Sequence, residues 1–177
     1  MSRQSRDIYL ISGPCGVGKS TISKKLADRM SKSVLIEGDQ LNAMLVGENQ
    51  PAWEERLAIV WKTIVSITKN VLDHERDVVI DYVVEDELNW FAQQFVDLNV
   101  HIHYVVLRAD KSVLHERLTQ RGNTDLLERS LFLLKKLEGT RANKPFLLDT
   151  TDKRPFEVVE KIEKNKLHYR YPFDERM

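Results

Sequence analysis

The sequence is poor in the features that mark secreted, membrane-bound or nucleic-acid-binding proteins. It has one cysteine, which excludes an intramolecular disulfide and, without metal-ligand spacing such as Cys-x-x-Cys, suggests a reducing compartment. No apolar run approaches the length that spans a bilayer, and the polar N-terminus lacks the apolar stretch of a signal peptide. Lys plus Arg and Asp plus Glu both total 27, so no net field favours nucleic acid or an anionic membrane. We therefore expect a cytoplasmic monomer or homodimer with neither of these partners.

Also missing is any repeat, low-complexity tract or Pro/Gly/Ser linker that would divide the chain. We therefore predict one domain over residues 1–177, with a loosely ordered or docked tail at 167–177. Short runs rich in Val, Ile and Leu predict strands at 8–11, 34–36, 78–80, 100–107 and 146–148. Helical patterns lie between and after them at 19–30, 53–71, 85–98, 111–121, 126–138 and 156–165. This alternation predicts an α/β fold with a parallel sheet of about five strands and helices on both faces.

A glycine-rich motif follows the first predicted strand. Gly13 and Gly18 with Lys19 and Ser20 fit the pattern Gly-x-x-x-x-Gly-Lys-[Ser/Thr], and a predicted helix follows. In such a P-loop, backbone N–H groups and the helix N-terminus cradle the phosphates, the lysine reaches the β and γ phosphates, and the serine hydroxyl binds Mg²⁺. The motif predicts a catalytic Lys19 and nine nucleotide-binding residues: Gly13, Pro14, Cys15, Gly16, Val17, Gly18, Lys19, Ser20 and Thr21.

Carboxylates follow the second and third predicted strands. Glu37 and Asp39 lie two residues apart, and Asp81 ends the third strand. Ligands of open α/β sheets bind at this carboxyl edge, where one carboxylate could hold Mg²⁺ through water and another could accept a proton from a substrate hydroxyl. Two alternatives stay open: Asp39 as the N-cap of a short helix over 40–45, and Asp81 as a strand-end cap.

Taken together, the P-loop and these carboxylates resemble the small P-loop kinases that phosphorylate metabolites, a group with gluconate kinase, shikimate kinase and chloramphenicol phosphotransferase. The similarity spans about residues 8–162. It implies the three-layer P-loop NTPase fold, with ATP and Mg²⁺ as cofactors. It also implies that Asp39 binds the acceptor hydroxyl and acts as the base, that Glu37 assists the metal, and that Asp81 supports metal or substrate. Glu37 departs from the Asp of shikimate kinases.

The resemblance also implies a lid whose arginines close over the phosphates. The matching stretch predicts a very short lid at about 121–128. Gly122 ends the preceding predicted helix, and Asp125 with Glu128 resembles a capping box for the next one.

Three arginines are the lid candidates. Arg117 and Arg121 lie four residues apart on one predicted helix face and are expected to contact the nucleotide. Arg121 and Arg129 are expected to act on the transferring phosphoryl group, where an arginine contributes on the order of 10³ or more in rate. For each arginine alone, a solvated helix face remains the alternative.

Candidate acceptor contacts precede the long helix and follow the third strand. Asn49, Trp53 and Arg56 would supply hydrogen bonds, an apolar wall and a positive charge, and Tyr82 adds a phenol. Trp53 shares a helical stripe with Trp61, so a place in the core is its alternative.

These observations predict an ATP- and Mg²⁺-dependent kinase that transfers the γ-phosphoryl group to a hydroxyl of a small molecule, with a sugar acid such as gluconate as a candidate acceptor. GTP is disfavoured because Asn143-Lys144 and Asn165-Lys166 both lack the continuation of the guanine-reading Asn-Lys-x-Asp pattern. Antibiotics, nucleosides and nucleotides are alternative acceptors. A nucleotide-dependent regulatory switch is the alternative from another class.

Overall fold

The computed structural model describes residues 5–172, which form an alternating series of strands and helices. The strands are β1 (Arg6–Ser12), β2 (Ser33–Glu37), β3 (Asp77–Asp81), β4 (Val100–Arg108) and β5 (Leu147–Asp149). The helices are α1 (Lys19–Asp28), α2 (Gly38–Ala43), α3 (Trp53–Asp73), α4 (Leu88–Gln93), α5 (Lys111–Gln120), α6 (Leu127–Gly139) and α7 (Pro155–Lys164). In the range 5–172, no helix combines the length and apolarity that a bilayer crossing requires.

The five strands form one parallel sheet in the order β2-β3-β1-β4-β5. The predicted fold is confirmed. From β1 the chain moves outward to β2 and later crosses to β4 on the other side, so the strand order reverses beside β1. Open α/β sheets bind ligands at the carboxyl ends of strands at such a reversal.

Helices cover both faces of the sheet. Helices α1 and α7 pack on each other, and α1 also packs on β2 and β3. Because parallel crossovers are right-handed, the return connections place α3 and α6 on the opposite face, where they contact β3 and β4. The central strands are therefore covered on both sides: Ile8, Leu10 and Ile11 are fully buried, each contributing about 1.5–3 kcal/mol.

The predicted helix over 85–98 and the predicted fifth strand differ from the structure. The helix expected over 85–98 is confined to α4, because the Glu87 carboxylate accepts the backbone N–H groups of Glu85 and Asp86 and holds them in a turn. The fifth strand begins one residue later than expected. Phe146 ends a 3-10 turn, and its ring packs against Tyr104 at a centroid distance of 5.3 Å.

The described part of the C-terminal tail lies along β4. The Tyr104 N–H donates to the Tyr169 carbonyl, and the Tyr171 N–H donates to the Ile102 carbonyl, both at 2.8 Å. Strand β5 pairs only with residues 106–108 of β4, so residues 169–171 satisfy backbone groups that β5 does not reach. Residues 173–177 of the predicted tail lie outside the described range.

Candidate active site

The P-loop connects β1 to α1 at the centre of the carboxyl edge. Gly13 has a φ of 147°, and a Cβ there would lie 2.6 Å from the Leu107 carbonyl oxygen of neighbouring β4. The loop can therefore leave β1 at this angle only with glycine. Gly18 precedes the first residue of α1 with a φ of 105°, so a ten-residue helix begins directly after the loop. The N-terminus of such a helix favours a phosphate.

Lys19 bends back over the loop that precedes it. Its Nζ donates to the Gly13 carbonyl at 3.0 Å and to the Pro14 carbonyl at 3.1 Å. Both partners are neutral carbonyls, so the ammonium charge remains available to an anion inside the loop. This position agrees with the predicted phosphate contact.

Strand pairing brings the acidic residues beside the P-loop. Asp81 pairs in register with Glu37 on one side and with Ile11 on the other. Asp81 is 6% exposed, and burial raises the pKa of its carboxyl. Hydrogen bonding from Ser20 and the charge of Lys19 oppose that shift, while Asp39 and Glu37 add to it. The predicted grouping of Ser20, Glu37, Asp39 and Asp81 is therefore present in space.

Asp39 does not act as a helix cap. Helix α2 begins at Gly38, its N-cap is Glu37, and no side-chain hydrogen bond caps it. The capping alternative for Asp39 is wrong, because Asp39 already lies in the first helical turn. Its side chain is exposed, and its charge contributes to raising the pKa of both Asp81 and Tyr82, so the carboxylate lies near both groups.

Tyr82, a candidate acceptor contact, is buried after the end of β3. It is 7% exposed, and its ring lies 5.4 Å from the ring of Trp61. Burial, together with the charges of Asp39, Glu87 and Glu85, raises the pKa of Tyr82 to about 12, while Arg56 lowers it. The charges of Asp39 and Arg56 both act on the Tyr82 hydroxyl, so these three candidate acceptor residues lie near one another.

The other candidate acceptor residues lie further out. Trp53 is 55% exposed at the start of α3, whereas Trp61 is 2% exposed. The core alternative is therefore wrong for Trp53, since the first turn of α3 projects beyond the sheet. Asn49 is exposed and lines an open groove with Met44, Val46 and Pro51.

Arg117 and Arg121 line a cleft beside the P-loop. Arg117 donates to the Val17 carbonyl at 3.1 Å and to the Thr150 carbonyl at 3.2 Å. Burial, and then the charge of Arg121, lowers the pKa of Arg117. Two adjacent guanidinium groups suit a polyanion. The same cleft is lined by Gly18, Thr21, Thr150, Lys153 and Val158.

The predicted lid is short. Six residues separate α5 from α6, and Gly122 adopts a φ of 72° at the end of α5. The capping box expected from Asp125 and Glu128 is wrong, because residues 124–126 form a 3-10 turn and Leu126 takes the cap position of α6 without a side-chain hydrogen bond.

Arg129 lies in the first turn of α6, beyond this lid. Its guanidinium forms an ion pair with Glu85 and lies 5.3 Å from the centroid of the Phe132 ring. Its position beside the P-loop depends on Ser130, whose buried hydroxyl donates to the Cys15 carbonyl at 2.7 Å.

Comparison with known proteins identifies the family. Residues 10–132 match the family model described as an AAA domain, a P-loop kinase domain. The chain belongs to the P-loop kinase family. The chain is also 30% identical over 162 residues to the "Putative adenylate kinase" of Thermococcus gammatolerans. The aligned region covers 88% of this chain and 82% of that protein.

Solved structures share the fold of this P-loop kinase. The tunicamycin resistance protein of Deinococcus radiodurans has a TM-score of 0.67 at 19% identity, covering 96% of this chain and 100% of that one. A gluconokinase from Sinorhizobium meliloti 1021 has a TM-score of 0.64 at 21% identity, covering 90% of each chain. The predicted resemblance to small P-loop kinases is confirmed.

P-loop kinases generally use a nucleotide with Mg²⁺, and the oxygen ligands of this P-loop kinase fit that ion. The Asp81 carboxyl and the Ser20 hydroxyl interact directly, and Glu37 lies beside Asp81 in the sheet. In the part of the chain that the structure describes, no group of three or more His, Cys, Asp or Glu residues forms a metal cage. Mg²⁺ needs none, since it is typically held by one or two carboxylates with phosphates and waters.

Of three further residues at this site, sequence analysis of this P-loop kinase missed Ser130. Glu85 follows the third predicted strand and is a further candidate for the acceptor pocket, and Lys153 lies in the loop 150–154, which borders the adenine in the resembled kinases. Lys153 lines the cleft with Arg117 and Arg121. Glu85 contacts Arg129, which lies 44 residues later in the sequence. Ser130 contacts the P-loop at Cys15, which lies 115 residues earlier. Lys153 and Glu85 had a sequence signal, because each follows a predicted strand at the carboxyl edge, whereas Ser130 had none.

Proposed function

We propose that this P-loop kinase transfers the γ-phosphoryl group of ATP to a hydroxyl of a small molecule. The observation that supports this most is the position of Asp39. Asp39 is exposed in the first turn of α2, directly after β2, and its charge lies near enough to Asp81 and Tyr82 to raise the pKa of both. An exposed carboxylate beside a phosphate-binding loop can accept a proton from a bound hydroxyl.

The donor side follows from the P-loop geometry. Loop N–H groups and the α1 N-terminus hold the phosphates, and Lys19 supplies a positive charge to the β and γ groups. Arg117 and Arg121 flank the cleft where the rest of the nucleotide would lie. Ser20, with Asp81 and Glu37, would hold Mg²⁺. When bound, this ion offsets charge on the β- and γ-phosphate oxygens.

The acceptor would lie over Tyr82 between Asp39 and Arg56. Asp39 takes the hydroxyl proton as the acceptor oxygen bonds to the γ phosphorus, while the bond from that phosphorus to the bridging oxygen breaks and ADP leaves. Arg129 and Arg121 offset charge on the transferring group and help exclude water. Arg56 provides a cation for an acidic acceptor, so sugar acids such as gluconate are the first acceptors to test. Antibiotics and nucleosides come next.

A nucleotide acceptor is the second candidate. The 30% identity to a protein named as an adenylate kinase favours it. In that reaction the accepting oxygen belongs to an ionised phosphate, which needs no general base. Asp39 therefore separates the two candidates.

The test has two stages. A thermal-shift screen of sugars, sugar acids, nucleosides, nucleotides and antibiotics, with a non-hydrolysable ATP analogue present, would identify the acceptor, since a specific ligand raises stability. Asp39→Asn should then lower transfer to a hydroxyl acceptor about a hundredfold or more while ATP affinity changes little.

Asp97→Asn is the matched control, because Asp97 is an exposed carboxylate in the turn between α4 and β4. It should transfer at the parental rate. Near-parental transfer by Asp39→Asn to a hydroxyl acceptor would remove Asp39 from the mechanism. Retained transfer to AMP would instead favour the nucleotide candidate, and unchanged slow ATP hydrolysis without any acceptor would favour a regulatory switch.

A further inference from the structure

The start of α6 is anchored to the P-loop. Ser130 is fully buried, and its hydroxyl donates to the carbonyl of Cys15 at 2.7 Å. Arg129 is the preceding residue, so its backbone is held within one residue of this contact. The guanidinium at the end of a long side chain is not fixed by that anchor.

Glu85 supplies the missing constraint. One carboxylate oxygen of Glu85 accepts a hydrogen bond from Nη2 of Arg129. The other accepts a hydrogen bond from Nζ of Lys136 at 3.1 Å. The Glu85 side chain is 19% exposed, while that of Arg129 is 41% exposed. A half-exposed cation is thus held by a carboxylate that is itself largely buried.

The backbone that carries Glu85 is fixed to the strand that leads into the P-loop. The Val84 N–H donates to the buried Ser12 hydroxyl at 3.0 Å, and Ser12 is the last residue of β1. The Glu85 N–H also donates to the Glu87 carboxylate at 2.9 Å. Glu85 therefore fixes Arg129 relative to the phosphate-binding loop through a second contact, independent of the one that Ser130 makes.

A guanidinium group can be held and still bind an anion. It has five N–H donors in a rigid plane, and the pair with Glu85 uses Nη2. The remaining donors stay available to phosphoryl oxygens. An unheld arginine would lose more side-chain freedom on reaching the same position.

We propose that Glu85 is a positioning residue for phosphoryl transfer, which orients Arg129 so that its free N–H groups face the phosphoryl group at the P-loop. The proposal rests on the proposed function, because it requires Arg129 to contact that group. Glu85 acts through Arg129 and contacts neither the nucleotide nor the acceptor. Its removal should therefore affect turnover more than ATP binding.

A double-mutant cycle in the full chain tests this relationship. Glu85→Gln, Arg129→Gln and the double variant are compared by ATP hydrolysis, a readout that needs no identified acceptor. Glu85→Gln should lower kcat about tenfold or more, because a misplaced catalytic group is costly, with KM for ATP within about twofold of the parent. The double variant should match Arg129→Gln alone, since the effect of Glu85 passes through Arg129.

Asp86→Asn is the matched control. Asp86 belongs to the same loop, is 80% exposed, and pairs with Lys136 at 2.7 Å, so its loss should leave kcat at the parental value. If Glu85→Gln does not fold, Glu85→Asp keeps the charge one methylene further back. Its smaller loss of kcat should also disappear in the Arg129→Gln background.

The proposal is overturned if Glu85→Gln keeps the parental kcat. It is also overturned if the kcat of the double variant falls by the product of the two single losses. Equal losses in Glu85→Gln and Asp86→Asn would also overturn it, by showing a general effect of the loop. The proposed function fails separately, if neither Lys19→Ala nor Arg129→Gln changes ATP hydrolysis.

Discussion

Gly38 lies directly against the ring of Tyr82. A Cβ on Gly38 would be 2.2 Å from Cδ2 and 2.3 Å from Cγ of that ring. The ring is buried and also packs on Trp61, so it has little room to move. This contact fixes the start of α2, and with it the position of Asp39, against the end of β3.

Gly38→Ala should therefore damage both stability and acceptor binding. Overpacking in a closed site costs about 1–3 kcal/mol, and the shift needed to relieve it would move Asp39 away from the acceptor. We expect a lower Tm and a higher acceptor KM, measured by thermal unfolding and steady-state kinetics. Gly139→Ala is the control, because a Cβ there meets nothing within 4 Å. If Gly38→Ala had the same Tm and acceptor KM as that control, the contact between Gly38 and Tyr82 would not position Asp39.

Lys19→Ala should lose phosphoryl transfer while keeping its fold. The Lys19 ammonium donates to the carbonyls of Gly13 and Pro14 and is not part of the apolar core, so its removal should leave the fold intact. Transfer should fall about a hundredfold or more, as for other lost electrostatic contacts. Circular dichroism and transfer assays check both parts, with Lys161→Ala on α7 as the control. Parental transfer by Lys19→Ala would contradict the phosphate-site assignment.

ATP should bind at least about tenfold more tightly than GTP, a difference of about 1.4 kcal/mol. Neither Asn-Lys pair is available to read guanine. Asn143 is buried, donates to the Leu137 carbonyl and accepts the Tyr104 hydroxyl, while Lys166 pairs with Asp7 at the start of β1. Isothermal titration calorimetry with both nucleotides measures the ratio. Tighter binding of GTP would reverse the expected preference.

Asp7 should make stability depend on pH below about 4. Burial raises the pKa of Asp7, but hydrogen bonds from His103 and Lys166, with their charges, outweigh it and lower the pKa from 3.8 to about 2. A carboxyl with a depressed pKa stabilises the folded state above its unfolded pKa, and that contribution of about 2 kcal/mol disappears as the pH falls from about 4 to 2. Urea unfolding of the parent and Asp7→Asn across this range measures it.

Asp7→Asn should be less stable than the parent at pH 7, and the two free energies of unfolding should converge toward pH 2. The comparison with the parent matters because Asp149 also has a pKa lowered to about 2, by Thr151 and Arg108 against an opposing effect of burial. A constant difference between parent and variant at all pH values would show that Asp7 contributes through shape alone.

Local sequence patterns predict much of the donor side. The P-loop is a contiguous motif with one backbone geometry, and strand-end carboxylates such as Glu37 and Asp81 meet because neighbouring parallel strands end at the same edge. No local pattern shows which helix residues contact the P-loop from distant parts of the sequence. Ser130 and Cys15 are 115 residues apart, and their contact depends on how α6 packs. The N-cap alternative for Asp39 failed for a similar reason, since packing of Gly38 on Tyr82 lets α2 begin two residues earlier than expected.

The network at Asp7 links the order of synthesis to the order of folding. Asp7 leaves the ribosome early, whereas Lys166, which bonds to it, follows α7. The carbonyl of Lys166 also lies 3.0 Å from Nδ1 of His103. Until residue 166 emerges, the first strand carries a carboxylate that lacks one of its cations, although the P-loop beside it has long been made. A nascent chain stalled before α7 should therefore contain all five strands and the nucleotide motif, but lack the Lys166 contact to Asp7 at the amino end of the sheet.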